Sequence, residues 1–333
     1  MSYEMIEMRK KIGDILCEFG EKDQRIYVLD SDLAKSTTSA KFRDTFPDRF
    51  VETGIAETSA MSIATGIASE GQIPFYVNFA IFVSGTAWTQ LRQAAYAKLN
   101  VKMIVTHPGM DNGPDGATHH ANEDIALVRT IPNVKVLVPS NIKELRQAIK
   151  MAIEYDGPVY IRCARDVVPD VEFSTDAQMG KSTVVEDLGD DFALIYEGTA
   201  AGIAYKGFEA LKEKGYKGKL INIFSIKPMD IDFINKIAST VNGIVTVENH
   251  SVLGGLGGAI AEVLAKNANH APIEYVGVED VFTESGKSAD VKAKYGLNVE
   301  NIVAKTEKVM KMNNQIDTIQ KKTLLQKIKE IFK

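Results

Sequence analysis

The sequence predicts an α/β protein of two domains, the first an open, doubly wound parallel sheet with helices on both faces. Three observations favour this class. Short β-branched segments alternate with helical patterns, the predicted strands are almost continuously apolar, and the 333 residues exceed one ordinary domain. We predict domains at 1–168 and 191–312, joined by a linker at 169–190 and followed by a helical tail at 313–333.

The first domain alternates predicted strands with predicted helices. The strands are Ile26–Asp30, Pro74–Asn78, Lys102–His107, Val134–Pro139 and Pro158–Cys163, with a short additional strand ending at Gly54. The helices are Glu57–Glu70, Ser84–Lys98, Asn122–Ile131 and Ile142–Tyr155. Ligands of open α/β sheets bind beyond the carboxyl ends of the strands, so functional residues are expected directly after strands.

The second domain repeats this alternation after a stretch in which Pro169, acidic residues and Gly189 interrupt the pattern. Its strands are Phe192–Tyr196, Lys219–Phe224, Gly243–Glu248 and Ile273–Val278, and its helices are Ala200–Lys214, Asp230–Ser239, Gly258–Lys266 and Val299–Met312. The glycines between His250 and Leu264 are interpreted as a packing turn, with His250 a local structural residue. The tail has an apolar helical face among lysines, which indicates a helix docked on its own domain or a partner-binding or surface helix.

Composition limits the classes of function. A net charge of −5 gives no support for nucleic-acid binding. No window reaches about 18 uninterrupted apolar residues, so no membrane span is expected. Cys17 and Cys163 are the only cysteines, which fits a reducing compartment, and the N-terminal segment lacks the apolar core of a signal peptide. We therefore predict a cytoplasmic protein.

The loop Thr106–His120 (THPGMDNGPDGATHH) contains three of the five histidines. His107, Asp111, Asp115 and His119 recur every four residues, but the prolines and glycines between them prevent a regular helix. The loop therefore brings imidazoles and carboxylates to a strand end. A polar substrate site is the favoured interpretation, and a metal site or a purely structural loop are the alternatives.

Two further segments follow predicted strands. Glu57 opens a helix rich in small residues, where its carboxylate could either stabilise the helix dipole or act in catalysis. Phe79 and Phe82 lie three residues apart, a spacing that suits either the core or one wall of a planar ligand site. The residues alone leave both questions open.

Taken in order, these motifs resemble those of the transketolase family of thiamine diphosphate enzymes. GIAE at 54–57 resembles the activating-glutamate motif, and DSDLAKS at 30–36 resembles SADLxxS. NFAIF at 78–82 resembles the TFxxF aromatic wall, and TH followed by PDGATHH resembles the TH…EDGPTHQ loop. IPNVKVLVPSN, VYIRCARD and EDVFTESGKSADVKAKYGL also fit, so that the resemblance covers about residues 12–312.

The resemblance implies a pyrimidine-binding domain followed by a transketolase C-terminal-like domain. Glu57 matches the glutamate that hydrogen-bonds the aminopyrimidine ring and favours its imino tautomer. Phe79 and Phe82 match the residues that stack around the pyrimidine, and Asp32 lies in the matching cofactor-facing loop. His107 matches a histidine near the reacting carbonyl, so Glu57 and His107 are the expected catalytic residues.

The family transfers a two-carbon glycolaldehyde unit from a ketose phosphate to an aldose phosphate. Asp115 matches a carboxylate that reads the stereochemistry of the sugar hydroxyls. The residues that match phosphate ligands are Ser36, His119, Arg165 and, in a less distinct alignment, Arg9. Such a histidine, arginine and serine cluster suits a dianionic phosphate because charge-assisted hydrogen bonds are the strong ones.

The family also binds the cofactor diphosphate and a divalent ion through a Gly-Asp-Gly motif, and no such motif occurs here. A diphosphate needs a cation and backbone donors. The resemblance therefore implies a separate N-terminal-half transketolase subunit that holds the diphosphate with Mg²⁺, Ca²⁺ or Mn²⁺, in an α2β2 assembly, while this chain contributes no metal ligand.

Several departures from the family pattern leave the sugar substrate open. Asn78 stands where a threonine is usual, Ala117 where a proline is usual, and Thr86 where some relatives have an arginine. Three alternative functions are the β subunit of a 2-oxo acid dehydrogenase first component, a deoxyxylulose-phosphate synthase fragment and a non-catalytic partner-binding paralogue.

Overall fold

A computed structural model describes residues 4–171, 173, 176–267 and 270–312. The described residues form the two predicted α/β units, one around a seven-stranded sheet and one around a five-stranded sheet, with a separate two-stranded ribbon. The predicted tail at 313–333 lies outside the described residues. Within those residues, no helix is long and apolar enough to cross a membrane.

The strands are short and mostly buried. In chain order they are β1 Met5–Ile6, β2 Ile26–Asp30, β3 Phe50–Glu52, β4 Ile73–Phe79, β5 Lys102–Thr106, β6 Lys135–Leu137, β7 Val159–Arg162, β8 Val168–Pro169, β9 Thr183–Asp187, β10 Ala193–Glu197, β11 Lys219–Ile223, β12 Ser225–Lys227, β13 Ile244–Ser251 and β14 Ile273–Val278.

The helices cover both faces of the sheets. In chain order they are α1 Ile12–Lys22, α2 Ala34–Thr37, α3 Ala40–Thr45, α4 Glu57–Ser69, α5 Trp88–Tyr96, α6 Asp124–Arg129, α7 Ile142–Glu154, α8 Ala201–Glu213, α9 Ile231–Thr240, α10 Leu256–Leu264, α11 Ser288–Lys294 and α12 at 299–312. A 3₁₀ turn spans Met110–Asp115, and a π-turn spans Phe82–Thr86.

The larger sheet has the strand order β12-β6-β7-β5-β4-β2-β3. All its strands are parallel except β12, which belongs to the second unit and pairs antiparallel with β6. The carboxyl ends of β2, β4, β5 and β7 therefore lie at one edge, which places Asp30, Phe79, Thr106 and Arg162 there. The predicted functional residues follow these strands, as expected for an open α/β sheet.

The two units share their core. One hydrophobic cluster joins Tyr76 and Val105 of the first unit to Ile195 and Ile221 of the second. Apolar burial of this kind is worth about 25 cal/mol per Å² removed from water, so the shared cluster stabilises the arrangement of the two units as well as each unit.

The stretch predicted as a linker contains a strand. β9 pairs antiparallel with β11 and forms one edge of the second sheet, whose order is β14-β13-β10-β11-β9. Its residues are only half-buried or exposed, and an edge strand of this kind lacks the continuous apolar character that marks the central strands. The second sheet therefore begins before residue 191, and the predicted linker at 169–190 is too long.

Two predicted helices are shorter than expected. The segment Ser84–Lys98 begins as the π-turn, in which the hydroxyl of Ser84 donates to the carbonyl of Ala80 at 2.8 Å, and continues as α5. The predicted helix Asn122–Ile131 reduces to α6. Its first residue lies outside the helix because the Asn122 carbonyl accepts a hydrogen bond from the Ser251 amide of the second unit at 2.6 Å.

The glycine-rich turn after β13 is a packing turn, as predicted. The Glu248 carboxylate accepts hydrogen bonds from the amides of Leu256 at 2.7 Å and Gly257 at 2.9 Å, at the N-terminus of α10. Burial raises the pKa of Glu248 to about 8. His250 is wholly buried beside it and accepts from the Ala126 amide at 3.3 Å, which is the structural role predicted for it. The chain's own carboxylate occupies this helix terminus.

Candidate active site

Four of the predicted site residues meet at the carboxyl edge of the larger sheet. The rings of Phe79 and Phe82 are nearly parallel, with centroids 6.0 Å apart and an interplanar angle of 10°. The His107 ring lies 3.8 Å from that of Phe79, and the His119 ring approaches Phe82 edge-on at 5.5 Å. Two phenylalanines and two imidazoles therefore form one continuous wall.

The order of the strands explains this convergence. Phe79 ends β4, and its register partner Thr106 ends the neighbouring parallel strand β5, so His107 emerges directly beside Phe79. The π-turn that follows β4 carries Phe82 to the same side. Single π-helical turns are frequent at functional sites.

His107 is held in a restricted conformation. Its φ of 57° lies in the left-handed region, which non-glycine residues seldom adopt. Its Nδ1 lies 2.8 Å from the Thr106 hydroxyl, which fixes the ring orientation. Burial, together with the positive charges of Arg9 and Arg165, lowers the pKa of His107 to about 3. The imidazole is therefore neutral at physiological pH.

Glu57 begins α4, after a turn in which Gly54 has a φ of 65°. The residue as a whole is only 8% exposed, and among the described residues its carboxylate makes no hydrogen bond or ion pair, while its oxygens remain accessible. Neighbouring Ile55 is 80% exposed, so the GIAE turn lies at the protein surface.

A series of hydrogen-bonded polar side chains connects the GIAE turn with the aromatic wall. The Asn78 amide donates to the Tyr76 hydroxyl at 2.6 Å and accepts from the Phe79 amide at 2.6 Å. The Tyr76 hydroxyl lies 2.9 Å from that of Ser31, which lies 2.9 Å from that of Thr53. Asn78, an atypical residue for the family pattern, therefore positions the first phenylalanine.

Sequence reasoning did not single out this series of polar side chains. The available signal was the period of two in β4, where Tyr76 and Asn78 place polar groups on one face of an otherwise apolar strand. Burial raises the pKa of the Tyr76 hydroxyl, which keeps it protonated as a donor.

The DSDLAKS loop, which contains the predicted cofactor-binding residue Asp32, is organised by Asp30. The Asp30 carboxylate accepts from the Leu33 amide at 2.6 Å and from the hydroxyls of Thr37 and Ser39, each at 2.9 Å. Burial raises the pKa of Asp30 to about 6. Asp32 is exposed, with a φ of 61°, and its side chain makes no hydrogen bond within the described residues.

Three of the predicted phosphate ligands, Arg9, Ser36 and Arg165, lie together near the junction of the two domains. The ribbon of β1 and β8 brings Arg9 and Arg165 to a shared cleft of about 640 Å³. Arg9 donates to the Ser36 carbonyl at 2.7 Å and pairs with Glu7 at 3.2 Å. The Nε of each arginine is buried without a hydrogen-bond partner among the described residues. Each guanidinium therefore retains an unused donor.

The four residues that recur every four positions in the loop Thr106–His120, named here the histidine loop, have different surroundings in the structure. Asp115 is exposed at the end of the 3₁₀ turn. Asp111 is wholly buried and accepts hydrogen bonds from Asn249 at 2.8 Å and Lys292 at 2.6 Å. In the described ranges, no group of three or more His, Cys, Asp or Glu side chains is placed to hold a metal ion.

A site with an aromatic wall on one side and guanidinium groups on the other suits a planar ring together with an anionic group. The Glu57 carboxylate, which has no partner among the described residues, follows β3 at the same carboxyl edge of the sheet and is available as a further polar group.

Comparison with known proteins identifies the family. The family model described as transketolase, pyrimidine binding domain, matches residues 4–170, and the model described as transketolase, C-terminal domain, matches residues 180–302. The chain belongs to the transketolase family, whose members depend on thiamine diphosphate.

Similar proteins align over nearly their whole length. A Methanocaldococcus jannaschii protein named as a transketolase C-terminal section is 40% identical over 91% of this chain and 96% of its own length. One subunit of the apulose-4-phosphate transketolase of Phocaeicola vulgatus is 35% identical over 91% of this chain and 97% of its own. A solved structure described as a split gene transketolase, inactive beta4 tetramer, has a TM-score of 0.85 and 38% identity, covering 92% of this chain and 99% of that one.

Proposed function

We propose that this chain is the small subunit of a heteromeric transketolase that moves a glycolaldehyde unit from a ketose phosphate to an aldose phosphate. The single observation that carries the proposal is Glu57, a residue only 8% exposed whose carboxylate has no hydrogen-bond or ion-pair partner among the described residues, at the start of the helix that packs against the π-turn of Phe82.

Each residue has a task that its surroundings support. Glu57 hydrogen-bonds the aminopyrimidine nitrogen, and Phe79 with Phe82 packs against the ring plane. Thiamine diphosphate, when bound, supplies the carbon centre that accepts the two-carbon unit and its electrons. His107, kept neutral by its surroundings, hydrogen-bonds oxygen atoms of the substrate near the reacting carbonyl. Asp32 borders the cofactor from its exposed loop.

The phosphate group of the sugar is assigned to the predicted phosphate ligands, which lie apart from Glu57 in the sequence. Arg9 and Arg165 line one cleft, and the Arg9 guanidinium is oriented by the Ser36 carbonyl. Arginine suits this task because its planar fork matches phosphate oxygens. Ser36 and His119 complete the phosphate ligands, and the exposed Asp115 reads the sugar hydroxyls from the rim.

A separate N-terminal-half subunit is part of the proposal. In an α2β2 assembly it would hold the diphosphate with Mg²⁺, Ca²⁺ or Mn²⁺. Support comes from relatives described as a C-terminal section, as one subunit of a transketolase and as a split-gene chain. The exposed GIAE turn, with Ile55 at its tip, provides a surface for that subunit. Free, buried Cys17 and Cys163 fit the cytoplasm as the compartment.

The identity of the sugar is a further part of the proposal. The P. vulgatus relative is named for apulose 4-phosphate, so similar chains include one named for an uncommon sugar. The atypical residues of the loop Thr106–His120 support use of such a sugar phosphate in addition to the common pentose phosphates, read by Asp115 and His119.

Cofactor binding tests the divided site directly. We expect thiamine diphosphate, in the presence of Mg²⁺, to bind the mixture of this chain and its large subunit at least about tenfold more tightly than either chain alone, because each chain provides half of the contacts. Isothermal titration calorimetry on the two chains and on their mixture measures this. Equal affinity for one isolated chain and for the mixture would contradict the proposal.

A further inference from the structure

The second domain contacts the histidine loop through the segment that leads into α11. The Gly286 amide donates to the Gly113 carbonyl at 3.1 Å, and the Ser288 hydroxyl donates to the Met110 carbonyl at 3.2 Å. A side chain at Gly113 would collide with this segment, because an added Cβ would lie 2.6 Å from the Ser288 amide nitrogen. The loop Thr106–His120 and the segment that leads into α11 are therefore in close backbone contact.

Lys292 of α11 lies between two carboxylates of the first domain. Its Nζ is 2.6 Å from Asp111 Oδ1 and 2.8 Å from Asp166 Oδ2, and the Ser288 hydroxyl also donates to Asp166. Burial opposes the charge of Lys292, but the two carboxylates together raise its pKa above the usual value. The Lys292 ammonium group therefore lies between the Asp111 and Asp166 carboxylates and offsets the repulsion between them.

These same carboxylates hold Arg165. Asp111 Oδ2 accepts from the amides of Arg165 at 2.8 Å and Asp166 at 3.1 Å, which fixes the backbone of that residue pair. Asp166 Oδ1 pairs with Arg165 Nη1 at 3.2 Å, which fixes the guanidinium. Without Lys292, the two carboxylates would repel each other, and both supports of Arg165 would shift.

We propose that Lys292 is a positioning residue for Arg165, through which the second domain controls recognition of the anionic end of the substrate. The inference rests on the proposed role of Arg165 as an anion ligand. It gives the second domain a task in substrate selection, because both carboxylates that hold the Lys292 ammonium group also hold Arg165.

The test compares acceptors with and without a phosphate in the reconstituted complex. Hydroxypyruvate serves as a donor that carries no phosphate, and ribose 5-phosphate and glycolaldehyde serve as acceptors. For Lys292→Met we expect KM for ribose 5-phosphate to rise about tenfold or more, since a charge-assisted contact is displaced. KM for glycolaldehyde and kcat should change less than about twofold, because the aromatic wall and Glu57 are unaffected.

A matched control and a milder variant complete the test. Lys294→Met removes the same charge from the same helix at an exposed pair with Glu284 and should leave both acceptors unchanged. Ser288→Ala removes one neutral donor to Asp166 and should raise KM for ribose 5-phosphate about threefold. Because Ser288→Ala keeps every charge, its KM for ribose 5-phosphate tests the proposal even if Lys292→Met does not fold.

The outcomes separate the inference from the proposed function. Equal losses with both acceptors, or no change with either, would overturn the positioning role of Lys292 and Ser288. A wild-type complex that transfers two-carbon units without any preference for ribose 5-phosphate over glycolaldehyde would instead contradict the anion-binding role of Arg165. A wild-type complex without two-carbon transfer would overturn the proposed function and the inference together.

Discussion

Replacing Glu57 by glutamine should lower two-carbon transfer by about 10²- to 10⁴-fold while the chain still folds and assembles. Glutamine keeps the volume and one hydrogen-bonding oxygen, but it cannot exchange a proton with the pyrimidine ring. Because the Glu57 carboxylate makes no hydrogen bond or ion pair among the described residues, its replacement breaks no contact within that part of the chain. Steady-state turnover of the reconstituted complex measures the effect.

The matched control lies at the other end of the same helix. Glu70 is exposed at the end of α4, so Glu70→Gln should leave turnover within about twofold of the wild type. Thermal unfolding and size-exclusion chromatography of both variants establish that folding and assembly persist. Near-normal turnover of Glu57→Gln would show that Glu57 is not the activating carboxylate.

Replacing Arg162 by methionine should lower the free energy of unfolding by about 3–5 kcal/mol. The wholly buried Arg162 guanidinium binds both oxygens of Asp124 at 2.8 to 3.1 Å and pairs with Glu197 at 3.2 Å. It also donates to the Thr199 hydroxyl at 2.7 Å and to the Asn249 carbonyl at 2.8 Å. Methionine would leave two carboxylates buried without a cation.

Urea unfolding of the full chain measures this loss. Arg43→Met, which removes an exposed pair with Asp44, should cost less than about 1 kcal/mol. Adding Asp124→Asn and Glu197→Gln to Arg162→Met should recover part of the stability, because no buried charge then remains unpaired. A loss below about 1 kcal/mol for Arg162→Met would mean that the buried ion pairs do not hold the two units together.

The central strands could be predicted from sequence because burial on both faces gives them a continuous apolar pattern. The sequence predicts Ile26–Asp30 over the same residues that form the strand, and the predicted Ile273–Val278 also matches. The edge strand Thr183–Asp187 escaped because half-exposed residues carry no such pattern. The ribbon of Met5–Ile6 and Val168–Pro169 is too short for any period to be recognised.

The aromatic wall could also be predicted, because its residues follow neighbouring parallel strands and their motifs are specific. The contacts that position the site residues could not be predicted. The spacing of Asp111 groups it with the histidines, whereas its hydrogen-bond partners Asn249 and Lys292 lie 138 and 181 residues further along the chain. Contacts between the domains depend on the relative placement of the two sheets, and local sequence patterns do not indicate that placement.

Two-carbon transfer by the reconstituted pair tests the central claim most directly. This chain, the transketolase-like large subunit from the same organism, thiamine diphosphate and Mg²⁺ are mixed with xylulose 5-phosphate as donor and ribose 5-phosphate as acceptor, and each chain is assayed alone in parallel. The account predicts turnover in the mixture and in neither chain alone. Turnover by this chain alone would contradict the divided site. The absence of transfer from any ketose phosphate by a stable complex that binds the cofactor would contradict the assignment as a transketolase.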